Sequence, residues 1–264
     1  MSYIVRANSA LPKAKAWTVN QPSVSPVERQ KTSIPTRRAE LQWLKADGSI
    51  GEKNAIIPAL PVFLEAMSAM AQGTLIQTPE GNVAVEDLEP GMTVATADGG
   101  TETIQWIGSM TIFPNSRDLN LPDTMLYRVT DGGYGLDRSV PDLMLGPAAR
   151  ILPGLFAVDS SSPLKNVPDM ADGFSVIELR PMSPVRVFHL ALSNHRLIRA
   201  NGVLIESYHP GSNVQLHLSH EMFGIFMALF PHMQSDGAFG PLNHRRQQAV
   251  PRRHPDERGD SRAC

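Results

Sequence analysis

Cysteine is almost absent from this sequence: Cys264, the last of its 264 residues, is the single one. One thiol excludes an intramolecular disulfide framework and a metal site built on several cysteines. The formal net charge is only −2, so no nucleic-acid partner is expected. No apolar run is long enough for a membrane span, and residues 1–19 lack the apolar core of a signal peptide. A cytoplasmic location is the default prediction, with signal-independent export as the alternative.

Motifs that identify common enzyme classes are also missing. The chain contains no H-E-x-x-H, G-x-S-x-G or Walker-type segment, and Gly133-Tyr134-Gly135 lacks the third glycine of a dinucleotide-binding loop. His217 and His220 would lie one turn apart on a helix, but no third residue is spaced to complete a metal site with them. We therefore predict no cofactor and no bound metal.

Proline and glycine, by contrast, are abundant. The chain has 22 prolines, 20 glycines and a hydrophobic fraction of 42%, which favours a turn-rich β protein with a substantial core. Between Gly73 and Gly108, short β-prone runs are separated by three turn sequences: Pro79-Glu80-Gly81-Asn82, Glu89-Pro90-Gly91 and Asp98-Gly99-Gly100. Further strands are predicted within Ser109–Asn120 and at Leu126–Val129, Ser175–Leu179 and Val185–Leu192.

Local signals also predict two hairpins and two helices. Asp47-Gly48 and Asn201-Gly202 each lie between β-prone runs, as in two-stranded hairpins. Apolar side chains three and four residues apart predict a helix over Pro61–Ala71 that stops at Gly73. Ser219–Pro231 is predicted as a second helix, capped by the serine and packed on the β domain. Contact of its apolar side chains with a membrane surface is the alternative.

Three stretches of the sequence carry a family resemblance. GTLIQTPEGNVAVEDLEPGMTV, from Gly73, resembles the opening of the Hedgehog/intein (Hint) domain of bacterial proteins. VFHLALSNHRLIRANGVLIESYHPG, from Val187 to Gly211, resembles the closing strands of that domain. Between them, PDLMLGPAARIL (Pro141–Leu152) resembles the segment that normally carries its processing histidine. The resemblance implies a mainly β, Hint-like horseshoe of short curved strands, with flanking N- and C-terminal helices.

Hint domains cut their own backbone, so the resemblance also implies two reacting side chains. A Cys, Ser or Thr at the first position attacks the preceding carbonyl, and a histidine moves the proton to the departing nitrogen. The family's C-x-x-x-G-T start places Ala69 at the nucleophile position, and its S-P-x-H-R segment places Ala149 at the histidine position. A methyl group performs neither role. The prediction is a degenerate, non-cleaving Hint scaffold that acts as a binding or structural module.

Nearby residues offer weak substitutes for the missing groups. Ser68 and Thr74 are the nearest hydroxyls; Ser68 is predicted in the last helical turns, and the Thr74 hydroxyl is predicted to bond locally. His195 lies where the family pattern carries a histidine, although a histidine bonded to backbone at a turn is the simpler interpretation. Asn201 could cyclise as terminal intein asparagines do, but its hairpin context indicates a turn residue. An autoprocessing domain that uses Ser68 or Thr74 is the alternative function.

The chain is predicted to comprise five segments. These are a loosely ordered N-terminal segment (1–38), a hairpin and helix (39–72), the Hint-like β domain (73–211), a C-terminal helical extension (212–243) and a basic disordered tail (244–264). The cleft left by the lost processing groups is predicted to hold a peptide or protein partner.

Overall fold

The computed structural model describes residues 34–114, 124–130, 142–153, 162–212, 214–233 and 239–247. The predicted loose N-terminal segment, as far as residue 33, lies outside the described residues. So does the predicted disordered tail from residue 248 onward, including Cys264.

Strands dominate the described residues, which confirms the prediction of a mainly β fold. The strands are β1 (Thr36–Leu44), β2 (Ile50–Pro58), β3 (Met70–Ala71), β4 (Leu75–Thr78), β5 (Gly81–Ala84), β6 (Thr93–Ala95), β7 (Thr101–Ile112), β8 (Leu126–Val129), β9 (Leu143–Leu145), β10 (Arg150–Ile151), β11 (Lys165–Asn166), β12 (Val176–Leu179), β13 (Val185–Leu192), β14 (Leu197–Ala200) and β15 (Val203–Glu206). The α-helices are α1 (Pro61–Glu65) and α2 (His220–Met227), and short 3₁₀ turns occupy Val85–Asp87, Val167–Met170 and Val214–His217.

These strands form two antiparallel sheets. The larger sheet has the order β12-β8-β9-β3-β13-β7-β1-β2, and β6 also pairs with β7. The smaller sheet has the order β11-β10-β15-β14-β4-β5. A core cluster that includes Ile76, Tyr127 and Ile205 draws side chains from both sheets, so burial of apolar surface joins the sheets to each other.

The longest strand, β7, runs without interruption through Gly108 and joins the β-prone run before that glycine to the strand predicted within Ser109–Asn120. A Cβ at position 108 would lie 2.2 Å from the Trp106 ring. Glycine has no Cβ, so it leaves the space that the indole occupies. Pairing with β13 extends from Ile104 to Ile112, which holds the residues on both sides of Gly108 in one strand. Cross-strand pairing therefore overrides the local signal of a glycine.

Helix α1 is shorter than the sequence predicted. The helix ends at Glu65, and Met70 lies in β3, paired with Leu145 on one side and Phe188 on the other. Phe63 and Met67 pack in one core cluster, whereas Met70 packs in the other. One helical face cannot reach both clusters, so the chain leaves the helix and becomes extended. Gly73 consequently follows a strand and does not end the helix.

Both predicted hairpins are confirmed. β1 pairs with β2 around Asp47-Gly48, where Gly48 has a φ of 81°. β14 pairs with β15 around Asn201-Gly202, whose φ angles are 46° and 85°. Two positive φ angles in a two-residue loop match the right-handed twist of the flanking strands. The Asn201 side chain also accepts a hydrogen bond from the Leu75 backbone N–H at 2.7 Å, so it acts as a turn residue.

The second helix, α2, begins where it was predicted, with Ser219 as its N-cap, but it ends at Met227, before the predicted end at Pro231. The Ser219 hydroxyl accepts a hydrogen bond from the Met222 N–H. Phe226 and Phe230 are almost fully buried and pack against Phe63 and Trp106, which confirms packing on the β domain. Of the helices described, none is long and apolar enough to cross a membrane.

Replacing Asn201 tests the hairpin that closes the smaller sheet. We expect Asn201→Ala to lower the free energy of unfolding by about 1–3 kcal/mol, because alanine disfavours the left-handed conformation and leaves the Leu75 N–H without its acceptor. Asn201→Gly keeps the backbone freedom and loses only the hydrogen bond, so it is expected to cost less than alanine. Urea unfolding measures both. Asn54→Ala, at an exposed position on β2, is the control and should change the value by less than about 0.5 kcal/mol.

Candidate functional site

The structure brings together the two positions that the family resemblance singled out. Ala69 precedes β3 and Ala149 precedes β10, and the pairing of β3 with β9 lays the segment 146–149 beside residues 68–69. The Ala148 N–H donates to the Ser68 carbonyl at 3.0 Å, and the Gly146 N–H donates to the Ala69 carbonyl at 2.8 Å. The Ala69 N–H donates to the Phe188 carbonyl at 3.0 Å. The Ser68–Ala69 peptide is thus held by backbone hydrogen bonds on both sides.

This close approach of two chain segments requires glycine at position 146. A Cβ there would lie 2.2 Å from the Ser68 carbonyl oxygen. The obstruction is backbone, which cannot rotate away as a flexible side chain can. Gly146 is therefore what allows the 146–149 segment to reach the Ser68–Ala69 peptide.

Both alanine side chains are fully buried, and both belong to the same apolar core cluster. Neither methyl group carries a proton that can be transferred or an electron pair that can attack a carbonyl. Solvent does not reach either side chain, so no open cleft of the kind predicted is present at these two positions. A partner would have to contact another surface.

The two candidate hydroxyls both donate to backbone carbonyls. Ser68 lies beyond the end of α1, which corrects its predicted place in the last helical turns, and its hydroxyl donates to the Leu64 carbonyl at 2.8 Å. The Thr74 hydroxyl donates to the Ala71 carbonyl at 2.7 Å, so the predicted local bond is confirmed. The side chain of neither residue has an imidazole partner in the described part of the chain.

His195 has a carboxylate partner that the sequence did not predict. Its Nδ1 accepts a hydrogen bond from the Asn243 backbone N–H at 3.0 Å. The proton of the neutral ring therefore lies on Nε2, which is 2.8 Å from Glu206 Oε1 and donates to it. Both side chains are buried. The predicted hydrogen bond of His195 to the backbone is present, and the Glu206 carboxylate is a second, charged hydrogen-bond partner.

Glu206 is the centre of a buried charge network. Arg246 Nε donates to its Oε1 at 2.8 Å, and Arg150 Nη1 lies 3.6 Å from its Oε2. Arg150 in turn pairs with Glu65 at 3.0 Å. Burial opposes ionisation of Glu206, but the hydrogen bond from His195 and the two guanidinium groups outweigh it and lower the pKa to about 2. The carboxylate is therefore charged at neutral pH.

His189 lies in the interior, and no described residue pairs a charged side chain with it. Its Nδ1–H donates to the Glu65 carbonyl at 2.7 Å, and its ring packs edge-on against Tyr208. Burial lowers the pKa of His189 from 6.5 to about 4, although the bond to Glu65 acts in the opposite direction. The ring is neutral at physiological pH and serves as a packed hydrogen-bond donor.

Sequence reasoning missed three members of this network: Arg150, Glu206 and Arg246. Arg150 directly follows Ala149 in the family motif, and Glu206 lies in the closing IESYHPG stretch, so their place in the resemblance was the available signal. Arg246 lies in the tail that was predicted to be disordered. Residues 244–247 are instead packed, with the Gln247 N–H donating to the Leu164 carbonyl at 2.8 Å.

The histidines considered as metal ligands do not form a site. His217 ends a 3₁₀ turn and His220 begins α2, and both are exposed. Among the residues that the structure describes, no group of three or more His, Cys, Asp or Glu side chains could hold a metal ion.

Replacing Gly146 tests whether the 146–149 segment depends on the close approach to Ser68. We expect Gly146→Ala to lower the free energy of unfolding by about 1–3 kcal/mol, because its Cβ meets a backbone oxygen that cannot move aside. Gly224→Ala is the matched control. Its Cβ meets nothing within 4 Å, and alanine in helix α2 should raise stability by up to about 1 kcal/mol. Equal effects of the two changes would contradict the close approach.

The neutral buried His189 makes stability depend on pH. An unfolded chain binds a proton at this residue near pH 6.5, whereas the folded chain does so only near pH 4. The unfolded state binds more protons between these values, so the free energy of unfolding should fall as pH falls from about 6.5 to about 4. We expect His189→Gln to flatten this slope, so that the free energy of unfolding falls by on the order of 2–3 kcal/mol less across the range. His217→Gln, at an exposed position, should leave the slope unchanged in denaturant titrations.

Comparison with known proteins assigns the chain to a family by its sequence. Among curated proteins, no sequence matches the chain. The chain is similar in structure to a bacterial intein-like domain from Clostridium thermocellum, with 13% identity, a TM-score of 0.38 and coverage of 54% of this chain and 99% of that one. It is also similar to the MchDnaB-1 intein, with 14% identity, a TM-score of 0.32 and coverage of 53% and 100%. The sequence profile of the Hint domain matches residues 68–212, more than half of the chain, and on this match the chain belongs to the Hint domain family.

Proposed function

We propose that this chain is a Hint domain that does not cleave itself and that serves as a binding or structural scaffold. The observation that supports it is the pair of alanines at the two positions where self-cleavage needs a nucleophile and a histidine. Both are fully buried in one core cluster. Breaking an amide requires an attacking group and a means of delivering a proton to the departing nitrogen. Methyl groups supply neither.

The backbone frame of the reaction is kept although the side chains are not. The Ser68 carbonyl accepts from the Ala148 N–H, and the Ala69 N–H donates to Phe188. These contacts use main-chain atoms and are indifferent to the side chains at positions 69 and 149. The fold can therefore persist without the reaction, because substitution by alanine removes the reacting groups and leaves the hydrogen bonds that position the peptide.

The alternative, self-cleavage through Ser68 or Thr74, is disfavoured by the contacts of both hydroxyls. A serine or threonine attacks only when its proton is transferred to a base. The Ser68 hydroxyl points its proton at the Leu64 carbonyl, and the Thr74 hydroxyl points its proton at the Ala71 carbonyl. An amide carbonyl is too weak a base to take that proton. Each hydroxyl satisfies a local main-chain group, which is a structural role.

Intact-mass measurement tests the proposal. Purified protein should keep its full mass of 28.8 kDa during prolonged incubation, with or without a thiol or hydroxylamine, because alanine at position 69 cannot form an ester or thioester. A fragment whose N-terminus is Ser68 or Thr74 would contradict the proposal. Ser68→Ala and Thr74→Ala are the matched controls, since loss of such a fragment in one variant would identify the nucleophile.

A further inference from the structure

The segment 239–247 lies on the surface of the domain and not within its core. None of its residues is fully buried. From position 242 onward, half-buried and exposed residues alternate, as in an extended strand with one side against a surface: Leu242, His244 and Arg246 are half-buried, and Asn243, Arg245 and Gln247 are exposed. This segment is docked on the Hint domain in the manner of a bound peptide.

Backbone pairing attaches this segment to the edge of the smaller sheet. The Leu164 N–H donates to the Arg245 carbonyl at 2.8 Å, and the Gln247 N–H donates to the Leu164 carbonyl at 2.8 Å. The pairing is parallel, and Leu164 directly precedes β11, the edge strand of that sheet. An extended peptide that adds to a sheet edge is a common mode of peptide recognition, in which main-chain bonds supply affinity.

Side-chain contacts supply specificity because two residues of the segment donate to acceptors on the domain. Arg246 donates through Nε to Glu206 Oε1 at 2.8 Å and through Nη2 to the His209 carbonyl at 2.6 Å. Asn243 donates through its backbone N–H to His195 Nδ1 at 3.0 Å and through Nδ2 to the His195 carbonyl at 2.9 Å. Four acceptors on the domain thus match four donors on two residues that lie three positions apart.

Two of the three partners of Glu206 lie outside the segment: His195 at 2.8 Å and Arg150 at 3.6 Å. We expect both contacts to remain when Arg246 is removed, so the carboxylate keeps part of its compensation and its orientation. A preformed site of this kind loses little ordering entropy when a peptide binds.

We propose that this acceptor-lined groove, formed by Leu164, His195, Glu206 and His209, is a peptide-binding site that residues 239–247 fill as an internal ligand. The partner it takes is an extended peptide with asparagine followed three residues later by arginine. Arginine is required because its planar guanidinium reaches the carboxylate and the carbonyl together, which the single ammonium of lysine does not match. This inference deepens the proposed scaffold function and rests on its binding role.

A labelled synthetic peptide with the sequence of residues 239–247, FGPLNHRRQ, tests the groove in the full-length chain. The wild-type groove is occupied, whereas Asn243→Ala/Arg246→Ala removes the donors of the internal ligand and leaves the acceptors. We expect the double variant to bind the peptide at least about tenfold more tightly than the wild type does, measured by fluorescence anisotropy. A peptide with alanine in place of the second arginine should bind the double variant at least about tenfold more weakly.

Arg245→Ala is the matched control because the neighbouring arginine has an exposed side chain. This change should not open the groove, and a peptide altered at the first arginine should bind the double variant as well as the unaltered peptide does. Failure of a folded double variant to bind the peptide would overturn the proposal, as would equal binding of the peptide that lacks the second arginine. Such a failure would leave the intact-mass result unchanged, so it is distinct from failure of the non-cleaving assignment.

Hydrogen exchange of the wild-type chain gives a second test that needs no variant. A docked ligand leaves by local opening, so the amides of Asn243 and Gln247 should exchange at least about tenfold faster than the paired amides of β7 and β13. Exchange as slow as in those central strands would show that residues 239–247 leave only when the whole domain unfolds. That result would make the segment an integral part of the fold and would overturn the proposal.

Discussion

One buried carboxylate determines how distant parts of this chain are arranged. A charged group removed from water is tolerated only when other charges and donors replace its hydration. Glu206 meets this requirement with His195 from the loop before β14, Arg150 from β10 and Arg246 from the C-terminal segment. Because removal of any single partner leaves a buried charge less compensated, this requirement fixes three chain segments relative to β15.

The backbone around Ala69 is positioned by main-chain atoms and not by the side chain at that position. The Ser68–Ala69 peptide is held by main-chain hydrogen bonds, and the approach of the opposing segment depends on Gly146, which has no side chain to obstruct it. Main-chain bonds are unchanged when a reactive side chain becomes a methyl group. Ala69 and Ala149 belong to the apolar core, where burial of their methyl groups stabilises the domain.

Local chemistry made part of the fold predictable. Asn201-Gly202 specified a hairpin because the two positive φ angles suit these residue types, and Ser219 specified a helix start because its hydroxyl accepts from the first turn. The helix from Pro61 was correctly placed at its start and wrongly extended. Its apolar spacing suited one helical face, but the side chains beyond Glu65 are divided between two core clusters. The spacing of apolar residues indicates which residues are buried, but it does not indicate which of the two core clusters each residue joins.

The sequence by itself determined that positions 69 and 149, which the resemblance to the Hint family singles out, carry methyl groups. Those identities need no coordinates, because a methyl group is unreactive in any fold. Only the tertiary structure decided what surrounds Glu206, and that Arg246 belongs to this network and not to a loose tail. Contacts between residues about forty positions apart depend on strand order and sheet edges, which no local pattern of side chains encodes.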